Sequence, residues 1–461
     1  MAIPRQACPS LLLLLVLLVC LLLIRVAAQS KPVVEAELLL QIKHVWGDPP
    51  VLVTWSAAAS TWGSHCSWPY VRCDTAGRVT NLTLTGISIK GDTFPDAVGG
   101  LFSLVHLDVS NNNIMGAFPT ALYRCRSLRY LDLSQNNIGG ELPRDIGLGL
   151  GPNLRRLALS GNEFNGTIPA SFFKLQNLWY LALDGNRLTG AIPSELGELT
   201  RSLQTLSLIL NPFNKGELPA LFKNLINLVD LSAVDCNLIG DFPSYVVNML
   251  ELEELDLSVN SLTGPIPPGV WGLKKLRALT VYENNLTGEV VVDGSVSTSL
   301  VTIEIFDTKL SGVIPEAFGR FESLILLALA DNNFSSAIPA SIARLPSLRE
   351  LRLYRNKLSG TLPWELGKHS DLGIVSVDEN ELTGTIPEEL CARGKLQFLH
   401  ASGNHLNGSI PVGLANCATL IGVYLDDNQL SGEVPEALWI TGQVDDVVLR
   451  NNRFTGQVDS Y

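Results

Sequence analysis

LQFLHASGNHLNGSIPVGLANCATL, running from Leu396 to Leu420, reads L-x-x-L-x-x-x-x-N-x-L-x-G-x-I-P and ends on the leucine that opens the next copy. The same frame starts at Val79, Leu104, Leu128, Leu154, Leu178, Leu203, Leu228, Leu252, Leu276, Leu300, Leu324, Leu348, Leu372, Leu396, Leu420 and Val444, sixteen times in all. Most steps are 24 residues, and the early ones are 25 or 26. Self-similarity at this period is the signature of a leucine-rich repeat solenoid, an α/β architecture in which each unit buries its apolar face only by stacking on its neighbours.

Each copy opens x-L-x-L-x, the alternation of a short strand with one face buried. Stacking predicts a parallel sheet on a concave face, its strands about 4.8 Å apart. Eight positions after most starts stands an asparagine, from Asn112 to Asn452. A buried amide can both donate to and accept from the backbone of its own turn, so these residues predict a ladder. Ile87, Cys236 and Thr308 replace it in three copies, which makes Cys236 a buried substitute and not a nucleophile. The 26-residue copy holds Gly147-Leu-Gly-Leu-Gly151. That run does not link a strand to a helix as a dinucleotide cradle requires, so it predicts a loop.

The chain has 461 residues, 46% of them hydrophobic, and a formal net charge of -12. An acidic surface argues against nucleic acid or anionic membrane as the partner and accommodates a basic ligand. Residues 1–28 read as a secretory signal: Arg5, then the 14-residue apolar run Leu11–Ile24, then Val26-Ala27-Ala28 for cleavage. Its removal takes Arg5 and Arg25 away, leaving 31 basic against 45 acidic residues, a net charge of -14. Residues 29–78 read as an N-terminal cap and 79–461 as the repeats, the last of them truncated. In the cap, EAELLLQIKHVW (Glu35–Trp46) predicts an amphipathic helix with Ala36, Leu38, Leu39, Leu40, Ile42 and Val45 on its apolar face, ended by Gly47-Asp48-Pro49-Pro50. Cys66 and Cys73 are close enough in a secreted chain to predict a disulfide. Trp55, Trp68 and Tyr70 are expected to fill the cap core.

The segments Leu382-Thr-Gly-Thr-Ile-Pro387 and Leu406-Asn-Gly-Ser-Ile-Pro411 resemble the plant-specific class of leucine-rich repeat, and the cap IKHVWGDPP…W…HCSWPYVRC resembles that of plant receptor kinases. The run Asn284-Asn-Leu-Thr-Gly-Glu-Val-Val-Val-Asp-Gly294, with Cys391 and Cys417, is similar to the HAESA-like receptor kinases. The resemblance covers residues 31–461. It implies a plant-type superhelix with a parallel concave sheet and a disulfide-stapled cap. It also implies an extracellular receptor for a secreted peptide or protein, a co-receptor with its own leucine-rich repeat ectodomain, and, in a full-length relative, a membrane span and a Ser/Thr kinase. Neither the span nor the kinase motifs stand in this sequence, so the expectation is a partial receptor or a free secreted protein at the outer face of the plasma membrane. Peptide-binding members carry an Arg-x-Arg pair in a late repeat. The matching positions here are Gly422 and Tyr424, which does not carry that clamp over. Cys391 and Cys417 lie 19 and 21 residues into adjacent repeats, one strand spacing apart, which predicts a second bridge.

Catalytic signals are missing. His44, His65, His106, His369, His400 and His405 form no close metal-ligand pattern, and there is no G-x-S-x-G. The reading is a binding module that is not an enzyme and needs no metal or cofactor. Its candidate surface is the exposed strand face, where Tyr282, Phe306 and Tyr354 recur in one column with Tyr180, Asp184, Asp256, Glu283, Glu304 and Asp307 around them and Arg352 at one end. An apolar stripe bordered by acids suits an extended ligand with apolar and basic side chains. A peptide of about twelve residues spans about 40 Å, or roughly eight repeats. The alternative is a secreted inhibitor or decoy, such as an inhibitor of cell-wall hydrolases. Asn81, Asn165, Asn285, Asn333 and Asn407 head glycosylation sequons.

Overall fold

The computed structural model describes residues 35–56, 64–200, 202–294, 296–440 and 444–456. The secretory segment read over 1–28 lies outside them. The chain divides into two compact units, Met1–Thr189 and Gly190–Tyr461.

The first unit begins with a helix over 35–45 that buries Ala36, Leu39 and Ile42, followed by the buried Trp46. Its apolar face is narrower than the sequence implies. Val45 is 44% exposed, and Leu38 and Leu40 are only half-buried. Trp55 stacks on Trp68 at 5.6 Å and donates through Nε1 to the Pro69 carbonyl at 3.1 Å. Tyr70 departs from expectation. It is half-buried, in the left-handed region at φ 72°, because it turns the chain into the strand Val71–Cys73 and does not fill the core. Cys66 and Cys73 are bridged with their Cα atoms 5.5 Å apart. Val71–Cys73 pairs antiparallel with Val79–Thr83, and from there the strands His106–Asp108, Tyr130–Asp132, Arg156–Ala158 and Tyr180–Ala182 follow in parallel. A carboxylate oxygen of Glu35 accepts from the Val79 N–H at 2.6 Å and ties the cap helix to the first of these strands.

The second unit is a parallel sheet from Thr205–Ser207 through Asp230–Ser232, Glu254–Asp256, Ala278–Thr280, Thr302–Glu304, Leu326–Ala328, Glu350–Arg352, Ile374–Ser376, Phe398–His400 and Gly422–Tyr424 to Asp446–Val448. One repeat shows how the sequence builds it. Leu300, Ile303, Ile305, Leu310, Ile314, Phe318 and Phe321 are all buried, so the apolar side chains of every segment meet in one interior. Pro315 caps the 3-10 helix Glu316–Arg320, its fixed φ starting a turn that ends five residues later. The helical layer of the second unit is largely such short 3-10 turns, tighter than the α-helices of an ordinary α/β fold. The L-x-G stretch forms a second row of short parallel strands, as where Lys309–Val313 pairs with Thr287–Glu289 and Asn333–Ser336.

The asparagines form a ladder, with one difference from expectation: within each unit they also reach the preceding repeat, as Asn136 does at the Val109 carbonyl and Asn404 at the Val377 carbonyl. Asn284 Nδ2 donates to its own Val281 and Tyr282 carbonyls and to Leu257 of the repeat before, and its Oδ1 accepts from the Leu262 N–H at 2.9 Å. Cys236 is buried in the same row, with Sγ 3.3 Å from the Leu208 and Val234 carbonyls. Thr308 keeps the row continuous by donating its hydroxyl to Asn332 Oδ1. The glycine run Gly147–Gly151 departs from expectation. Ile146–Leu150 is a five-residue α-helix, not a loop, ended by Gly151 at φ 77°. Glycine stands inside it because a Cβ on Gly147 would lie 1.8 Å from the Ser171 carbonyl oxygen and one on Gly149 would strike the Tyr123 ring.

Candidate functional site

In the second unit the strands present every other side chain outward, and three outward columns build the site. Asp256, Thr280, Glu304 and, two strands further on, Arg352 share one register line, with Ala328 between the last two. Two residues past each strand comes the column Ser258, Tyr282, Phe306, Ala330, Tyr354. Tyr282 and Phe306 stack face to face, their ring centroids 4.4 Å apart and their planes nearly parallel at 6°. Both rings are half-buried, leaving a broad apolar surface open to solvent. Beneath the stack Ser258 is fully buried, and both its N–H and its hydroxyl donate to Asp256 Oδ1, at 3.0 and 2.5 Å. That pair fixes the carboxylate beside the Tyr282 phenol.

The third column turns outward at the rim. Glu283 and Asp307 are exposed and hold φ near 50°, so the backbone bends at each ring of the stack and splays an acid to its side. Burial, above all, pushes the Asp256 and Glu304 carboxyls above their ordinary values. At Asp256 the hydrogen bonds from Ser258 oppose that push, and at Glu304 the Arg352 guanidinium does, with Asp256 and Glu350 adding to it. The Tyr282 phenol is raised by burial and then by Asp256, Glu283 and Glu304. Arg352 spends part of its charge on Glu350, at 2.6 Å. The arrangement is an aromatic platform ringed by carboxylates that lack enough cations, a surface for apolar contact and for a positive charge, with no nucleophile poised at it.

The structure gathers Asp256, Tyr282, Glu283, Glu304, Phe306 and Asp307 at this platform, with Arg352 and Tyr354 two strands further on. Tyr180 and Asp184 belong to the first unit. There the Arg156 guanidinium lies 3.6 Å from the Tyr180 ring centroid, and Asp184 accepts from the Ser160 hydroxyl at 2.7 Å. Sequence reasoning stopped the columns too early. The column that the sequence carries through Tyr354 to Asp378 continues as Ser402 and Asp426 and, in the strands, as Ser376, His400 and Tyr424, and simple extension of the period would have found them. Of the sequon asparagines, Asn165, Asn333 and Asn407 are exposed. Asn81 is half-buried within a strand opposite His106, and Asn285 is half-buried and accepts from Lys309 Nζ at 2.7 Å. Cys391 and Cys417 are bridged, with Cα atoms 5.9 Å apart.

A leucine-rich repeat family matches at residues 78–138 and 298–358, and a second at 153–175, 177–199, 251–273 and 395–417. The ectodomain of the Arabidopsis receptor kinase HAESA, in complex with an N-terminally extended IDA peptide hormone, is 35% identical with a TM-score of 0.85, the match covering 91% of this chain and 69% of that one. HAESA with IDA and the co-receptor SERK1 matches at 29% identity and a TM-score of 0.64, over 91% of this chain and 82% of that one. Polygalacturonase inhibitor 1 of Oryza sativa subsp. japonica is 37% identical over 78 residues, 17% of this chain and 23% of that protein's own length.

Proposed function

This chain belongs to the leucine-rich repeat ectodomains of plant receptor kinases, and from that premise we propose that its second unit binds an extended secreted peptide, anchored on the Tyr282–Phe306 stack. The stack carries the reading. Two stacked aromatic rings left partly open beside Asp256, Glu304, Glu283 and Asp307 offer the apolar anchor and the charge complement that a peptide with apolar and basic side chains requires. The likeness to HAESA bound to a peptide hormone supports it, and the complex of HAESA with IDA and SERK1 supports a co-receptor with a leucine-rich repeat ectodomain as the second partner. Such a module acts outside the cell, binds and does not catalyse. Exposed Asn165, Asn333 and Asn407 are then the sequons best placed to carry glycans.

The test is calorimetric titration of the full chain with capped peptides of about twelve residues, rich in apolar and basic side chains. Phe306→Ala should weaken binding by about 2 kcal/mol or more. If binding survives Tyr282→Ala and Phe306→Ala together, the anchor lies elsewhere. A second reading, a secreted inhibitor of a cell-wall hydrolase, draws on the match to polygalacturonase inhibitor 1. Inhibition of a polygalacturonase by the full chain, unaffected by the double substitution, would favour it.

A further inference from the structure

Four strands of the second unit carry a feature that the peptide anchor does not use. Phe398 and His400 point outward from one strand with ring centroids 6.0 Å apart, and Tyr424 of the next strand stacks on His400 at 4.5 Å and 13°. The Tyr424 hydroxyl donates to Asp446 at 3.1 Å, which fixes that ring. Opposite Phe398 in the sheet stands Gly422, where a Cβ would come within 2.9 Å of both the Phe398 and Tyr424 rings. Glycine at this position is what allows the three rings to sit together. Phe398 and His400 border a cavity of about 290 Å³ that Arg352, Tyr354, Ile374 and Ser376 complete. A pocket that holds a whole small ligand measures about 300–1,000 Å³, so this one has room for a single large side chain.

Tyr354 and Ser376 also line a second cavity, of about 490 Å³, where the acids Asp378, Glu379, Asp426 and Asp427 outnumber the one lining cation, Arg355, with Ser402 and Gly403 between them. Of the cations nearby, Arg355 is already shared between Asp331 at 3.5 Å and Glu379 at 3.3 Å, and Arg450 reaches Asp426 only at 3.9 Å. The carboxylates are held in place. Asp378 accepts from the Ser376 hydroxyl at 2.9 Å and from the Ser402 N–H at 3.0 Å, and Asp426 accepts from the Ser402 hydroxyl. An aromatic slot and an acidic pocket therefore adjoin along the strand face, with Tyr354 as the wall between them.

We propose that these two cavities form one bipartite subsite that takes a large apolar or aromatic side chain in the slot and the neighbouring lysine or arginine of the same extended peptide in the acidic pocket. Charge complementarity selects the occupant. The acidic wall excludes a carboxylate there, and the Tyr354 ring at its edge favours an organic cation over a hydrated metal ion. The inference rests on the peptide reading for the class of ligand and not on the Tyr282–Phe306 anchor.

The experiment titrates the full chain with three capped peptides of one glycine-serine host that differ at a single dipeptide: Phe-Arg, Phe-Glu and Ala-Arg. Phe-Arg should bind at least tenfold more tightly than either of the others. Tyr354→Ala or His400→Ala should erase its advantage over Ala-Arg, and Asp426→Asn with Asp427→Asn its advantage over Phe-Glu. Unchanged thermal midpoints would show that these partly exposed side chains leave the fold intact. Equal binding of the three peptides, or no binding of any, overturns the subsite. So does calcium chloride alone displacing Phe-Arg, which would make the acidic pocket a metal site. Loss of Phe-Arg binding on Phe306→Ala, with no response to the Tyr354, His400 and aspartate variants, would also overturn it while leaving the anchor reading in place. The opposite pattern would sink the anchor and keep the subsite.

Discussion

Asn284 and Phe306 lie within one step of each other in the sheet and illustrate two kinds of residue. Asn284 is buried and makes four hydrogen bonds that cross from its own repeat to the one before. Asn284→Ala takes the side-chain acceptor from the buried Leu262 N–H and leaves the Leu257 carbonyl with the Asn260 amide alone. The expected loss is about 1–3 kcal/mol of stability, read as a lowered urea midpoint. Phe306→Ala removes a ring that faces solvent on one side and Tyr282 on the other. Its effect on the fold should be near the stacking term of about 1 kcal/mol, with the larger effect on affinity. If Phe306→Ala lowers the urea midpoint as much as Asn284→Ala does, the ring belongs to the core and is not an anchor. The sequence announced the asparagine by its recurrence every 24 residues. It could not announce that the amide reaches into the preceding repeat, because a one-dimensional period fixes which residues are alike and not which backbone groups they meet.

Among the elements, strands were the legible part and helices the less legible. Alternating leucines fix a strand and its buried face wherever they occur, and Leu300, Ile303 and Ile305 read correctly for that reason. The outer turns carry proline at the cap and too few residues for helical periodicity to register, so their 3-10 geometry emerged only from the structure. The helix Ile146–Leu150 was misread because its glycines look like loop punctuation, whereas packing against Ser171 and Tyr123 demands them. Gly147→Ala should therefore cost about 1–3 kcal/mol through overpacking, while Leu148→Ala, at a residue 60% exposed, should be nearly neutral. Equal thermal midpoints for the two variants would contradict the close packing. The second bridge gives an element-scale prediction too. Cys391 and Cys417 close a loop with a sequence separation of 26, and replacing both with serine should remove about 3 kcal/mol. The loss should show first as faster hydrogen exchange in Glu388–Cys391 and Val412–Ala415, the two turns that carry the cysteines or abut them.

Over the molecule, charge sets how a ligand arrives and at what pH it stays. The net charge of -12 and the acids around the platform draw a basic peptide in from solution. The association rate should fall with salt as the screening length drops from about 30 Å at 0.01 M to about 10 Å at 0.1 M, and Glu283→Gln with Asp307→Asn should lower that rate more than it raises the dissociation rate. The pH dependence has two opposite signs. Burial, first among the causes, raises Asp256, Glu304 and Asp378 above the ordinary values of 3.8, 4.5 and 3.8. In the free protein a raised acid holds its proton where the unfolded chain has released it. Its contribution to stability is then full below the ordinary value and is lost as pH rises through the raised one. A basic ligand needs the same groups ionised, so its affinity should fall as pH drops into the window just above the ordinary values, while the free second unit gains stability from these three groups over the same window. Titration with a capped basic peptide, beside thermal midpoints of the unliganded chain, reads both trends between neutral pH and about pH 4. Asp256→Asn with Glu304→Gln should flatten both curves together. An affinity that does not change with pH, or that rises as pH falls, would mean that the peptide's charge meets none of these carboxylates and that the acids beside the Tyr282–Phe306 stack are only a solvated border.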